Sequence, residues 1–260
     1  MFFALSSWAL LALLLVAVVG ATAVGLLAGR RIRARGESLR EPLGVLQAAT
    51  LGIVGLLLAF GLSLAIGRYE TRRAAVVDEA NAIGTTYLRA QTLQEPVRTR
   101  SLDLLRRYTD TTIAISEEVP GTAGMRRTLA VQGEMQRQLW RLAGQALDAQ
   151  PVASAPRLYV DSLNQTIDQQ GVRAAALNNR VPDTVLWLEV AATAIAFALL
   201  ALYISLLGRG PVAVLIAAAL VTVLLFVTFD LDRPTRGLVQ VPDTPLVSLR
   251  ASMELPPAAD

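Results

Sequence analysis

The chain has 260 residues, 53% of them hydrophobic and only 17% charged, with a mean hydropathy of +0.48, a balance that excludes an ordinary soluble domain and points to a membrane protein. Cysteine and histidine are absent and every one of the 24 basic residues is arginine, which removes disulfides, thiol and imidazole chemistry, the usual zinc and haem ligands, and lysine-dependent catalysis. The net charge of +3 is small and its arginines are spread along the chain, so no nucleic-acid-binding face is expected.

The first membrane-length run covers about residues 8–29, with Trp8 as an interfacial anchor. Arg30, Arg31, Arg33 and Arg35 follow at once, as in a stop-transfer segment, so the run is expected to remain a helix and not to be a cleaved signal peptide. By the positive-inside rule this connector faces the cytoplasm, which puts the N-terminus and residues 68–182 outside.

Residues 43–67 form an uncharged second span. Gly44, Ala48, Gly52, Gly55, Ala59 and Ser63 recur along it at steps of three or four, within roughly 100° of one another on a helix. This face is the candidate pore or packing surface. The helix is expected to run on into water, where Val76, Ala80, Ile83, Tyr87 and Ala90 make an amphipathic seam.

Residues 68–182 read as one helical module, with helices over about 97–118 and 123–149. A further helix, carrying Leu158, Leu163, Ile167 and Val172, leads back to the membrane. These stripes are expected to be packed core. The acidic residues show no spacing for a carboxylate pair or a metal cage, so no catalytic, cofactor-binding or metal residue is assigned and no enzyme is expected.

Pro182-Asp183-Thr184 opens the third span, 185–207, in which Glu189 is an ionisable group within apolar sequence. Two roles stay open for it: a carboxylate reaching the headgroups, or a pore or inter-helix group. Gly208-Arg209-Gly210-Pro211 turns the chain into the fourth span, 212–229. In the tail, 230–260, Asp230, Asp232, Arg233 and Arg236 are expected to neutralise one another. GLVQV is expected as a short strand, PLVSLRASM as a short helix and LPPAAD as unstructured. The expected architecture is an all-α membrane protein: four transmembrane helices as two hairpins, within 1–67 and 183–229, bracketing a helical extramembrane module.

Three stretches carry a resemblance to a known group: SLAIGRYETRRAAVVDEANAIGTTYLRA, LNQTIDQQGVRAAALNNRVP and FDLDRPTRGLVQVPDTPL. Through them the chain resembles the bestrophin-like bacterial membrane proteins, remotely similar to the bestrophin anion channels. The resemblance implies a multi-pass protein of the bacterial cytoplasmic membrane, homo-oligomeric, without a cofactor, with the lipid bilayer and small ions as partners. It also implies a cytoplasmic module, against the charge rule. No acidic calcium clasp is found, and Phe60 is the sole aromatic residue in 43–67. Candidate selectivity charges are Arg68 and Arg72, which would favour anions, Glu189 and Asp230, which would favour cations, and Asp232 and Arg233 beside them. The leading expectation is an oligomeric ion channel; the alternative is a non-conducting scaffold or sensor whose module binds a partner.

Overall fold

A computed structural model describes residues 5–33 and 37–256. It contains α1 (Ser7–Ile32), α2 (Arg40–Ala90), α3 (Val97–Glu117), α4 (Ala123–Ala149), α5 (Ser154–Asn178), α6 (Asp183–Leu206), α7 (Val212–Leu231) and α8 (Thr244–Ser252). Among the described residues there is no strand, so GLVQV is irregular chain; PLVSLRASM is helical, within α8. Of LPPAAD, residues 257–260 lie outside the described residues.

The helix ends follow local chemistry. Ser6 Oγ accepts the Ala9 amide at 3.2 Å and Thr122 Oγ1 accepts that of Met125 at 3.3 Å, satisfying donors left free at the first turns of α1 and α4. Gly208 takes φ +74°, a conformation costly for a residue with a Cβ, and so ends α6 ahead of α7.

The chain divides into two compact units, the first Met1–Arg68 with Arg180–Gln240, the second Tyr69–Asn179 with Val241–Asp260. α2 supplies residues to both. The segment after α7 is likewise shared between them.

In the first unit, α1 packs against α6 and α7. Close approach is possible because α1 presents glycine. A methyl at Gly25 would collide with the Ala198 carbonyl, and one at Gly29 would lie 2.6 Å from Ser205 Cβ. Ser205 Oγ donates to the Leu26 carbonyl at 3.1 Å across the same contact. In lipid such packing and hydrogen bonding replace the hydrophobic drive that water would supply. Leu10, Leu14, Leu186, Phe197, Leu225 and Phe229 fill the core. By length and composition, four helical stretches can cross a membrane: α1, α2, Ser154–Leu206 through its α6 part, and α7.

The second unit is a water-type helical core. All five seam residues, Val76, Ala80, Ile83, Tyr87 and Ala90, are buried in it with Leu105, Tyr108, Leu139 and Leu163. α3 packs on α4, α4 on α5 and α8 on α3. Of the stripe expected on α5, Leu163 is buried and Ile167 packs partly, whereas Leu158 and Val172 are exposed. α8 is tied down by polar contacts: Tyr87 Oη donates to the Met253 carbonyl at 3.0 Å, and Arg250 pairs with Asp110 at 2.6 Å.

Candidate functional site

Within the first unit α2 has two unlike faces. Val54, Leu58, Gly61 and Ala65 are buried against that unit's own helices. Gly44 belongs nearer this side, since a methyl there would lie 3.2 Å from the Tyr203 ring and hydroxyl. Ala48, Gly52, Gly55, Ala59 and Ser63 are all exposed, and nothing lies within 4 Å of a methyl built on Gly52 or Gly55. Five of the six small residues therefore form an uncovered, nearly flat face. They do not pack against the other spans of the same chain.

Glu189 lies on the packed side. It is 2% exposed, its carboxylate rests against Gly61, where a methyl would collide with it, and its Oε2 accepts no hydrogen bond. The carboxylate does not reach outward in the manner of a snorkelling side chain. One turn along α6, Thr193 is also buried, with its hydroxyl unpartnered. Buried polar groups left without a partner in apolar surroundings are costly to the fold.

The two arginines that follow the span differ. Arg68 is half-buried, and its Nε and Nη1 are enclosed without partners. Arg72 is 2% exposed and belongs to the second unit, where it donates to the carbonyls of Ala176 at 3.3 Å and Asn179 at 2.9 Å. It thereby satisfies acceptors left open at the C-terminal end of α5. A ring of freely accessible Arg72 side chains is not what this environment offers.

Asp230, Asp232 and Arg233 are likewise committed within the fold. Asp230 Oδ2 accepts the amides of Leu238 at 2.6 Å and Val239 at 3.0 Å. Asp232 Oδ2 accepts that of Val181 at 2.8 Å, holding the chain just ahead of α6. Arg233 donates to the Leu5 carbonyl. Gly237 is required here, because a methyl on it would lie 2.6 Å from the Asp230 carbonyl oxygen. Both carboxylates bond backbone amides, a geometry that fixes a turn. All three charges are buried.

The second unit holds a buried ion pair that sequence reasoning missed. Arg173 Nη1 meets Glu79 Oε2 at 2.7 Å, with side chains 5% and 1% exposed, and also donates to the Thr112 carbonyl; Nη2 donates to Ser116 Oγ at 2.6 Å. Gln132 adds a bond to Thr112 Oγ1 at 2.9 Å. Burial pushes the Glu79 carboxyl above the usual carboxylate range, more than Arg173 pulls it down. The same burial, with the Glu79 charge, pushes the Tyr108 phenol up. Among the described residues no group of three or more acidic side chains is placed to hold a metal ion.

Comparison with known proteins bears on the family and the fold. The Bestrophin-like domain family model matches residues 11–246. A crystal structure of a bacterial bestrophin homolog from Klebsiella pneumoniae, phased by Zn-SAD, superposes with a TM-score of 0.66 at 12% identity, covering 91% of this chain and 97% of that one. A point variant of that homolog gives 0.65 at 14% identity with the same coverage. No curated protein matches the chain. At these identities the likeness to solved structures speaks for the fold, and the family match spans nearly the whole sequence. The chain belongs to the bestrophin-like family of membrane proteins.

Proposed function

We propose that the protein is an oligomeric ion channel, or channel-like pore, in which α2 of each copy borders the axis. The observation that carries this reading is the uncovered face of Ala48, Gly52, Gly55, Ala59 and Ser63 on a helix whose opposite face is packed. Small residues let helix backbones approach one another or a file of water, and a span covered on one side only has a second surface to satisfy. The bestrophin likeness favours the same arrangement. Arg68 is the basic group best placed to tune passing anions, since Arg72 is occupied by backbone carbonyls. Glu189 is the acidic counterpart, and its protonation state would set the charge presented beside α2.

On this reading the protein lies in the bacterial cytoplasmic membrane, and the charge rule favours a second unit outside it. The test is reconstitution of purified protein into liposomes, with ion flux followed against empty vesicles. Flux that Arg68→Ala or Glu189→Ala alters in selectivity supports the pore. Folded, oligomeric protein that passes no ion across salts, voltages and pH would favour the non-conducting scaffold.

A further inference from the structure

A groove of about 420 Å³ opens between α3 and α4 of the second unit. From α3 it takes Arg100, Leu104 and Arg107, four and three positions apart, and from α4 Gln138 with Arg141 and Leu142, three and four positions on, so that each set shares one helical face. Leu104 is buried and Leu142 half-buried, which gives a fixed apolar floor, while the three guanidinium groups stand exposed on the walls. The volume falls within the range of small-molecule sites, roughly 300–1,000 Å³.

The state of these arginines sets the groove apart. Asp103, its one carboxylate, is taken by Arg106 at 3.0 Å. Arg141 reaches only Glu134, at 3.6 Å and in solvent. Arg100 and Arg107 make no side-chain hydrogen bond or ion pair. They are alone in this among the described arginines of the unit; Arg89, Arg98, Arg137 and Arg250 pair with carboxylates, and Arg126 and Arg157 bond carbonyls. Two turns of helix, about 10 Å, separate Arg100 from Arg107. Three like charges around one small cavity repel, and an anion with several oxyanionic groups removes that repulsion. The planar guanidinium forks match phosphate or carboxylate oxygens in pairs.

We propose that this groove binds a small multivalent oxyanion, a compound carrying phosphate or carboxylate groups a few bonds apart, held by Arg100 and Arg107 from α3 and by Arg141 from α4. Gln138 and Gln145 supply neutral donors beside it, and Leu104 and Leu142 support an apolar portion. The assignment gives the soluble unit a ligand of its own and does not depend on whether the membrane unit conducts.

The test is titration calorimetry on the full-length protein in detergent, with sodium tripolyphosphate and, separately, citrate as probes. Saturable binding of at least one is expected, weakened about tenfold or more in the Arg100→Ala/Arg107→Ala double variant, and by an intermediate factor in Arg107→Lys, which keeps charge and loses the fork. Arg126→Ala/Arg157→Ala removes two exposed charges elsewhere in the unit and should leave affinity within about twofold. Thermal midpoints equal to the parent's establish that each variant is folded. Binding of tripolyphosphate alone assigns the site to phosphate compounds, and binding of citrate alone to carboxylates. Absence of saturable binding by either probe, an affinity unchanged in Arg100→Ala/Arg107→Ala, or an equal loss in both double variants would overturn the proposal.

Discussion

Arg173 holds together the most enclosed polar contact of the second unit. It compensates Glu79, and a carboxylate left alone in that position would bear the full cost of desolvation. Arg173→Met is therefore expected to destabilise the protein by about 3–5 kcal/mol at neutral pH, whereas Glu79→Leu with Arg173→Met should recover most of that loss. The pH dependence has a definite sign. Because burial raises the folded-state pKa of Glu79 above its unfolded value, the stability it contributes is complete below the unfolded value and is lost as pH rises through the folded one. The deficit of Arg173→Met should shrink as pH falls below neutral and Glu79 takes up a proton, at a higher pH than an ordinary carboxylate would. Thermal midpoints of parent and variant in detergent, compared as pH is lowered, check this; a deficit independent of pH would contradict it. Glu79 and Arg173 lie 94 positions apart, and neither has a local pattern that foretells the pairing. Arg72 illustrates the same limit. Its position after a span suggested a water-facing charge, but its fate depends on carbonyls of α5 more than a hundred positions away.

At the scale of elements, hydropathy and periodicity exposed the helices because their causes are local. The small-residue steps of α2 and the Val76–Ala90 seam were legible for that reason. Packing partners were not, since nothing local foretold that Gly25 and Gly29 would bring α1 against Ala198 and Ser205 of α6. Sequence spacing also could not say which face of α2 would be covered, and the structure makes the two faces separable by experiment. Gly61→Leu must displace the Glu189 carboxylate and is expected to lower the stability of the single chain by about 1–3 kcal/mol or to prevent folding. Gly52→Leu and Gly55→Leu meet open space within the chain and should leave it folded while disrupting assembly, because only a second copy would be blocked. Sedimentation of purified protein, alongside thermal melting, distinguishes these effects. A parent protein that sediments as a monomer, or assembly unaffected by both substitutions, would count against an oligomer built on this face.

For the whole molecule, sidedness is the first question that composition and family answer differently. Arg30, Arg31, Arg33 and Arg35 in the first connector favour a second unit outside the cytoplasm, and the bestrophin likeness favours one inside. Reporter fusions at Gln150 and at the C-terminus are expected to give the external signal at both positions. Cytoplasmic signals at both would reverse the orientation, and opposite signals would mean that the number of spans differs from four. The family and the all-helical fold were legible in the sequence because motif and hydropathy extend over most of its length. The Asp230 and Asp232 turn was visible only as a dense cluster of charge, since carboxylates bonding Leu238, Val239 and Val181 amides depend on chain folded back in space.

The account rests on α2 bordering a conducting path with its small-residue face, and the lack of any native cysteine allows a direct test. Ala59→Cys and Ser63→Cys place a thiol on the exposed face, and Leu58→Cys places one on the packed face. In reconstituted liposomes, a charged, water-soluble thiol reagent should block ion flux through Ala59→Cys and Ser63→Cys and leave Leu58→Cys and the parent unaffected. Flux that persists unchanged in both exposed-face variants after complete modification, or an absence of flux in the folded parent protein, would contradict the account.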